Sequence, residues 1–367
     1  MKNTDTLFFD ILRNGLWGTS DPDRYCYRDE NNWNEILDIS LSQTVVGIVE
    51  NGLNDCRAGV IPSNIAMQFI SHSISTEKRN LQMNAVIAKL FSVYKAAGIP
   101  VVLVKGQAIA QYYRKPLSRQ SGDIDLIVQS QDFENAKKCL QTMANDKGIE
   151  EDALKKHFAT YLGNIEVELH GTIRTALGVQ VNKVLDLAQM ELFIEGGTRI
   201  WVCNNVAIRV PLADFDTFYT FAHMIQHFYG GGLGLRQLCD LTMALHRNTG
   251  RVDEQKLYAR LTEMNLMEEW RGFIAFLVKY LGLPATEAIF YEKKSEKNAE
   301  RIWTYIKGVG NFGKHRKRFC GKNSPRLLRK AESLFIRTSD FLNHTIVFPK
   351  NSLKFYRYYL KQSIMAL

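Results

Sequence analysis

No uncharged apolar run in this chain reaches about 18 residues, so hydropathy predicts no transmembrane helix. The six cysteines, at positions 26, 56, 139, 203, 239 and 320, include no CxxC pair. That spacing indicates neither a zinc cluster nor a disulfide framework, and reduced thiols in a cytoplasmic protein are expected. The N-terminus MKNTDTLFFDILRNGLW lacks a long apolar core and a small-residue cleavage site, so no signal peptide is read there. Proline is scarce (8 in 367 residues), and neither an internal repeat nor a low-complexity tract is visible. What remains is an ordinary globular composition, long enough for about two or three domains.

Acidic residues are missing from one long stretch. Residues 301–330 hold ten Lys or Arg and no Asp or Glu, within a chain of net charge +9 and pI about 9.1. An anionic partner fits that balance. With Trp303, Tyr305 and Phe312 nearby, the stretch can be read as a nucleic-acid track, or more plainly as a solvated basic face. The final KFYRYYLKQSIMAL is an aromatic, basic amphipathic segment. It is expected to dock on the core, with a partner or an anionic membrane surface as alternatives.

Apolar residues at helical spacing predict helices over 4–17, 33–50 and 63–97, the last one or two helices ending at Gly98-Ile-Pro100. VVLV (101–104) then predicts a strand, AIAQYY a short helix, GDIDLIVQ (122–129) a strand, 131–145 a helix and NIEVELH (164–170) a strictly alternating strand. Residues 198–203 and 205–210 read as a hairpin around Asn204-Asn205. After Pro211 the pattern is helical. The expectation is an N-terminal helical region (1–79), an α/β module with a small mixed sheet (80–210) and a C-terminal helical domain (211–367), an α+β fold.

Side chains alternate along a strand, so Asp123 and Asp125 share one face of theirs, and Glu166, Glu168 and His170 share one face of the later strand. If the strands are neighbours, three carboxylates converge and repel one another unless a cation neutralises them. Oxygen-only ligands suit Mg²⁺ or Mn²⁺. The plainer alternative is two amphipathic strands whose acids face water.

The run LVKGQAIAQYYRKPLSRQSGDIDLIV resembles the nucleotidyltransferase superfamily with the DNA polymerase β-like fold. Within it, the chain is similar to an uncharacterised bacterial family with a Lys-Gly motif, an Arg four residues before Asp-x-Asp, and a later acidic-x-His strand. Here these are Lys105-Gly106, Arg119 ahead of Asp123-Ile124-Asp125, and Glu168-Leu169-His170. HMIQHFYGGGLGLRQLCDL resembles that family's His-rich helix, glycine turn and Arg-x-x-x-Asp helix. The resemblance implies a two-metal site in which Asp123, Asp125 and Glu168 hold Mg²⁺ (or Mn²⁺) and an NTP donates a nucleoside monophosphate to a hydroxyl acceptor. Glu168 would also help deprotonate that hydroxyl. Gly106 would admit the triphosphate close to the backbone, with Lys105, Gln107 and Arg119 as further nucleotide-binding residues.

Two departures stand out. Lys105-Gly106-Gln107 replaces the superfamily's Gly-Ser, and Gly171 stands where relatives carry an aromatic residue after acidic-x-His. Lys105 can serve phosphate or pair with Asp123 or Asp125; Arg119 can clamp phosphate or form a structural salt bridge; Glu166 rivals Glu168 as the third carboxylate. His223 and His227, four apart, lack the HExxH glutamate and are read as lining the contact between helices and sheet. Arg236 and Asp240 read as an i,i+4 pair. A catalytically degenerate binding or regulatory module is the competing reading.

Overall fold

A computed structural model describes residues 3–18, 30–54, 61–144, 150–152, 156–230, 232–313, 315–316, 319–321 and 324–365. Helices α1 (Asn3–Trp17), α2 (Glu30–Ser42), α3 (Val46–Leu53) and α4 (Ser63–Ala96) lead into β1 (Val101–Val104), α5 (Gly106–Ala110), β2 (Asp123–Val128) and α6 (Phe133–Met143). Strands β3 (Glu150–Asp152), β4 (His157–Leu162) and β5 (Ile165–His170) follow, then α7 (Val179–Glu191) and the hairpin β6 (Thr198–Cys203) and β7 (Val206–Pro211). The rest is helical: α8 (Ala213–Gly230), α9 (Leu235–Arg247), α10 (Glu254–Met264), α11 (Met267–Phe276), α12 (Glu296–Val309), α13 (Arg326–Val347) and α14 (Pro349–Met365).

The fold is α+β. One sheet has the order β1-β2-β5-β4-β3, and only its β2–β5 pair is parallel. Period-2 alternation splits its side chains between two environments. Leu103, Ile124, Leu126, Val167 and Leu169 pack against Met83, Ile87, Leu90 and Tyr94 of α4 and Leu140 of α6. On the opposite face, Val102, Val104 and Ile127 join a helical core, and the carboxylates of β2 and β5 share that side. The first and last thirds of the chain also share this core. Phe9 of α1 meets Trp303 of α12 edge-on at 4.7 Å and Tyr280 at 4.8 Å.

Two expectations change. The single helix over 33–50 is broken at Gln43–Val45, where Thr44 takes φ +55 and buried Gln43 bonds across the core to Ile306 O and Leu235 N, both at 3.1 Å. Of the one or two helices expected over 63–97, one forms, the 34-residue Ser63–Ala96. Strands β3 and β4 and helix α7 add to the elements expected from periodicity.

The basic stretch also changes character. Trp303 and Tyr305 are buried (4% and 6% exposed), which removes them as stacking platforms for bases. Lys307 pairs with Asp5 (2.6 Å) and Glu35 (3.0 Å), and Arg316 with Asp340 (2.5 Å). Lys314, Lys317, Arg318 and Lys322 lie outside the described residues, as do Cys26, Cys56 and Gly231 of the glycine turn. At the C-terminus, α14 docks on the core through Phe355, whose ring lies 4.6 Å from that of Tyr229. No helix among the described residues is long and apolar enough to cross a membrane.

Candidate active site

The parallel register sets Asp123 opposite Glu166 and Asp125 opposite Glu168. Asp123, Asp125 and Glu168 each offer a carboxylate oxygen, and these oxygens all lie within 4.8 Å of one another. Glu168, not Glu166, therefore completes the cluster; Glu166 lies further toward the start of β5 and does not line the cleft. The cleft, of about 400 Å³, runs between this sheet edge and the α8–α9 wall.

Lys105 follows β1 with φ +54 and ψ −146, a region nearly reserved for glycine and costing about 1–3 kcal/mol. That turn aims its ammonium into the acids, 2.5 Å from Asp125 Oδ1. Burial works against the charge, but Asp125, Tyr219, Asp123 and Glu168 together outweigh it and hold the Lys105 pKa above its ordinary value. Of the alternatives open for Lys105, the pair with Asp125 is the one formed. Gly106 follows at φ +30, and a Cβ there would come within 3.3 Å of Asp123 O.

The two aspartates differ sharply. Asp125 is 2% exposed and takes Lys105 together with His170 Nε2 at 3.1 Å. Burial, with the Asp125 charge adding to it, pushes the Asp123 pKa up to about 6. Burial also pushes Glu168 up, but hydrogen bonds from His157 and His170 and the Lys105 charge hold it well below the usual carboxylate range. His170 is instead raised: burial opposes its charge, while Asp125 and Glu168 favour it.

Other expected residues sit differently. Gln107 is buried and donates to Asn80 Oδ1 at 2.9 Å, away from the cleft. Arg119 is held by a bidentate pair to Asp240 (Nε 2.9 Å, Nη2 2.5 Å) and donates to Ser121 Oγ at 2.8 Å. This is the salt-bridge alternative. Asp240 also accepts from the Tyr113 hydroxyl at 2.7 Å, while Arg236 donates to Gln120 O at 3.0 Å and lies within reach of the Asp240 charge. His223 and His227 do form cleft wall. Lys105 Nζ lies 3.3 Å from His223 Nε2, and His227 Nε2 lies 3.0 Å from that same atom. Burial and the nearby Lys105 charge lower both imidazoles, His227 to about 4, so they are neutral.

Gly171 has a packing cause. A Cβ there would fall 2.8 Å from Lys156 Cβ and 2.9 Å from Phe133 Cδ2, so no aromatic residue fits. His157 is a site residue the sequence-based expectation leaves out. It stands opposite His170 on β4, and Gly163-Asn164 between two alternating apolar runs was the hairpin signal that marks it.

A small mixed sheet with three carboxylates on adjacent strands, walled by helices, is a nucleotidyltransferase-like arrangement. The sequence model of a family described as uncharacterised nucleotidyltransferase matches residues 29–282, and the chain belongs to that family. Among solved structures, it is similar to an antigenic nucleotidyltransferase-like protein from Paracoccidioides brasiliensis at 13% identity and a TM-score of 0.36, covering 56% of this chain and 95% of that one. No curated protein matches.

Proposed function

We propose that the cleft transfers a nucleoside monophosphate from an NTP to a hydroxyl acceptor on a small molecule, a protein or RNA. The observation that carries this reading is the convergence of Asp123, Asp125 and Glu168 at one cleft edge, inside a chain of this family. The donor set fits a hard divalent cation, Mg²⁺ or Mn²⁺. All three donors are oxygens, which a hard cation prefers. When bound, the cation would neutralise phosphate charge and stabilise the attacking and leaving oxygens.

The chain's own residues supply the rest. Gly106 leaves the backbone open to phosphate beside Asp123. Lys105, the counter-ion of Asp125, can turn to phosphate once the acids are otherwise neutralised. Arg236 and the neutral His223–His227 pair face the acids from the helical wall. The acceptor oxygen forms a bond to the α-phosphorus, the bond from that phosphorus to the bridging oxygen breaks, and pyrophosphate leaves. The hydroxyl proton passes to a carboxylate of the cluster.

One observation favours a second reading, a nucleotide-binding or regulatory module without turnover. Lys105, Arg119 and Gln107 are all engaged inside the protein. Incubation with α-labelled NTPs and Mg²⁺ or Mn²⁺ in a cell extract separates the two. Label should reach an acceptor with the wild type and not with Asp123→Asn. Nucleotide binding with no label transferred under any metal would favour the module.

A further inference from the structure

We propose that His157, His170 and Glu168 form a transition-metal site, separate in ligand chemistry from the oxygen-only cluster and sharing one carboxylate with it. Strands β4 and β5 pair His157 directly opposite His170, with ring centroids 5.0 Å apart. Both imidazoles present Nε2 to the same oxygen, Glu168 Oε2, at 3.6 Å from His157 and 3.3 Å from His170. All three ligand atoms lie within 4.8 Å of one another. A tetrahedral ion with bonds of about 2.0–2.2 Å to imidazole nitrogen and carboxylate oxygen places neighbouring ligand atoms roughly 3.3–3.6 Å apart. Both imidazole–carboxylate separations already fall in that range.

Ligand type decides which ion. Two imidazoles and one carboxylate suit Zn²⁺, Co²⁺ or Fe²⁺, whereas Asp123 and Asp125 suit Mg²⁺ or Mn²⁺. The three ligands line the open cleft, which leaves a fourth position for water or substrate. The ion displaces the imidazole protons that otherwise face Glu168 and, from His170, Asp125. The site stands on its own geometry, whether or not the cleft turns over NTPs.

Titration of the full-length, metal-free protein with Co²⁺, followed by visible absorption, tests it. The wild type should take up one equivalent with the strong d–d band of a tetrahedral N/O site, and Zn²⁺ should displace it. His157→Gln and His170→Gln should each weaken Co²⁺ binding by about tenfold or more. Asp123→Asn should leave it unchanged. A wild type without the band overturns the site. So does a His157→Gln protein that binds Co²⁺ like the wild type, or an Asp123→Asn protein that loses it. If circular dichroism shows the glutamine variants unfolded, proton NMR of the Co²⁺-loaded wild type decides: two contact-shifted imidazole N–H resonances support the site, and none overturns it. Nucleotidyl labelling, assayed separately with Mg²⁺, can fail without altering any of these results.

Discussion

The two walls of the cleft are built differently. The sheet wall is local: Asp123 and Asp125 are two residues apart on one strand, and Glu168 and His170 two apart on the next. The helical wall is assembled over long separations. Asp240 of α9 holds Arg119 and Tyr113, more than a hundred positions earlier in the chain, and His223 of α8 meets Lys105. The sheet wall concentrates charge that wants a ligand, whereas the helical wall pairs its charges internally. On this account, function concentrates in the first wall and stability in the second.

The most severe way to break that contrast is at Asp240. Asp240→Asn leaves the buried Arg119 guanidinium uncompensated and should cost about 3–5 kcal/mol in a urea melt. A cost below about 1 kcal/mol would mean that the helical wall does not anchor Arg119 energetically.

The next prediction sharpens the difference between the two aspartates in metal-free protein. Asp125→Asn removes the partner of Lys105 and should destabilise by about 1.5–3 kcal/mol. Asp123→Asn relieves a carboxylate that burial and Asp125 disfavour, and should stabilise by about 1–2 kcal/mol near pH 7.5. Its pH dependence has a fixed sign. Folded Asp123 titrates near 6, above its unfolded value of 3.8, so the native state binds more protons in that window. Wild-type stability relative to Asp123→Asn therefore falls as pH rises from about 4 through about 6, and the gap becomes constant only above about pH 7. Chemical melts at pH 4, 5, 6 and 7.5 check it. A gap independent of pH would remove Asp123 as the strained member of the cluster.

At the small end is the exposed Arg174–Asp186 pair at the cleft rim. Arg174→Ala should change stability by less than about 0.5 kcal/mol, because solvent screens such pairs. A larger loss in the same melts would show that charge pairing at the rim is structural as well.

How far the sequence reveals each wall follows from the same difference. Strand alternation alone puts Asp123 with Asp125 and Glu166 with Glu168 and His170. It does not choose between the glutamates, because that depends on the Asp125–Glu168 register, which only the packed sheet defines. His157 needed β4 to be recognised. HFATYL alternates weakly, and the Gly163-Asn164 turn is the sharper cue. On the helical wall, four-residue spacing suggests an Arg236–Asp240 pair, yet Arg119 takes Asp240 because both are buried and its planar fork matches the carboxylate. Trp303 and Tyr305 look available beside so many cations, but their rings pack inward while the cations of α12 point outward or pair with Asp5 and Glu35. Local periodicity carries the first kind of information. Long-range partner choice does not appear in it.

The central claim is that the acidic edge of the sheet receives the metal ion and the NTP phosphates. Its most direct test is a crystal structure of the full chain grown with Mn²⁺ and a non-hydrolysable NTP, with manganese located by anomalous scattering. Manganese is expected among the oxygens of Asp123, Asp125 and Glu168, with the triphosphate against Gly106 and Lys105 turned from Asp125 to phosphate. Manganese elsewhere, or a nucleotide seated away from Gly106 with the Lys105–Asp125 pair intact, would contradict it.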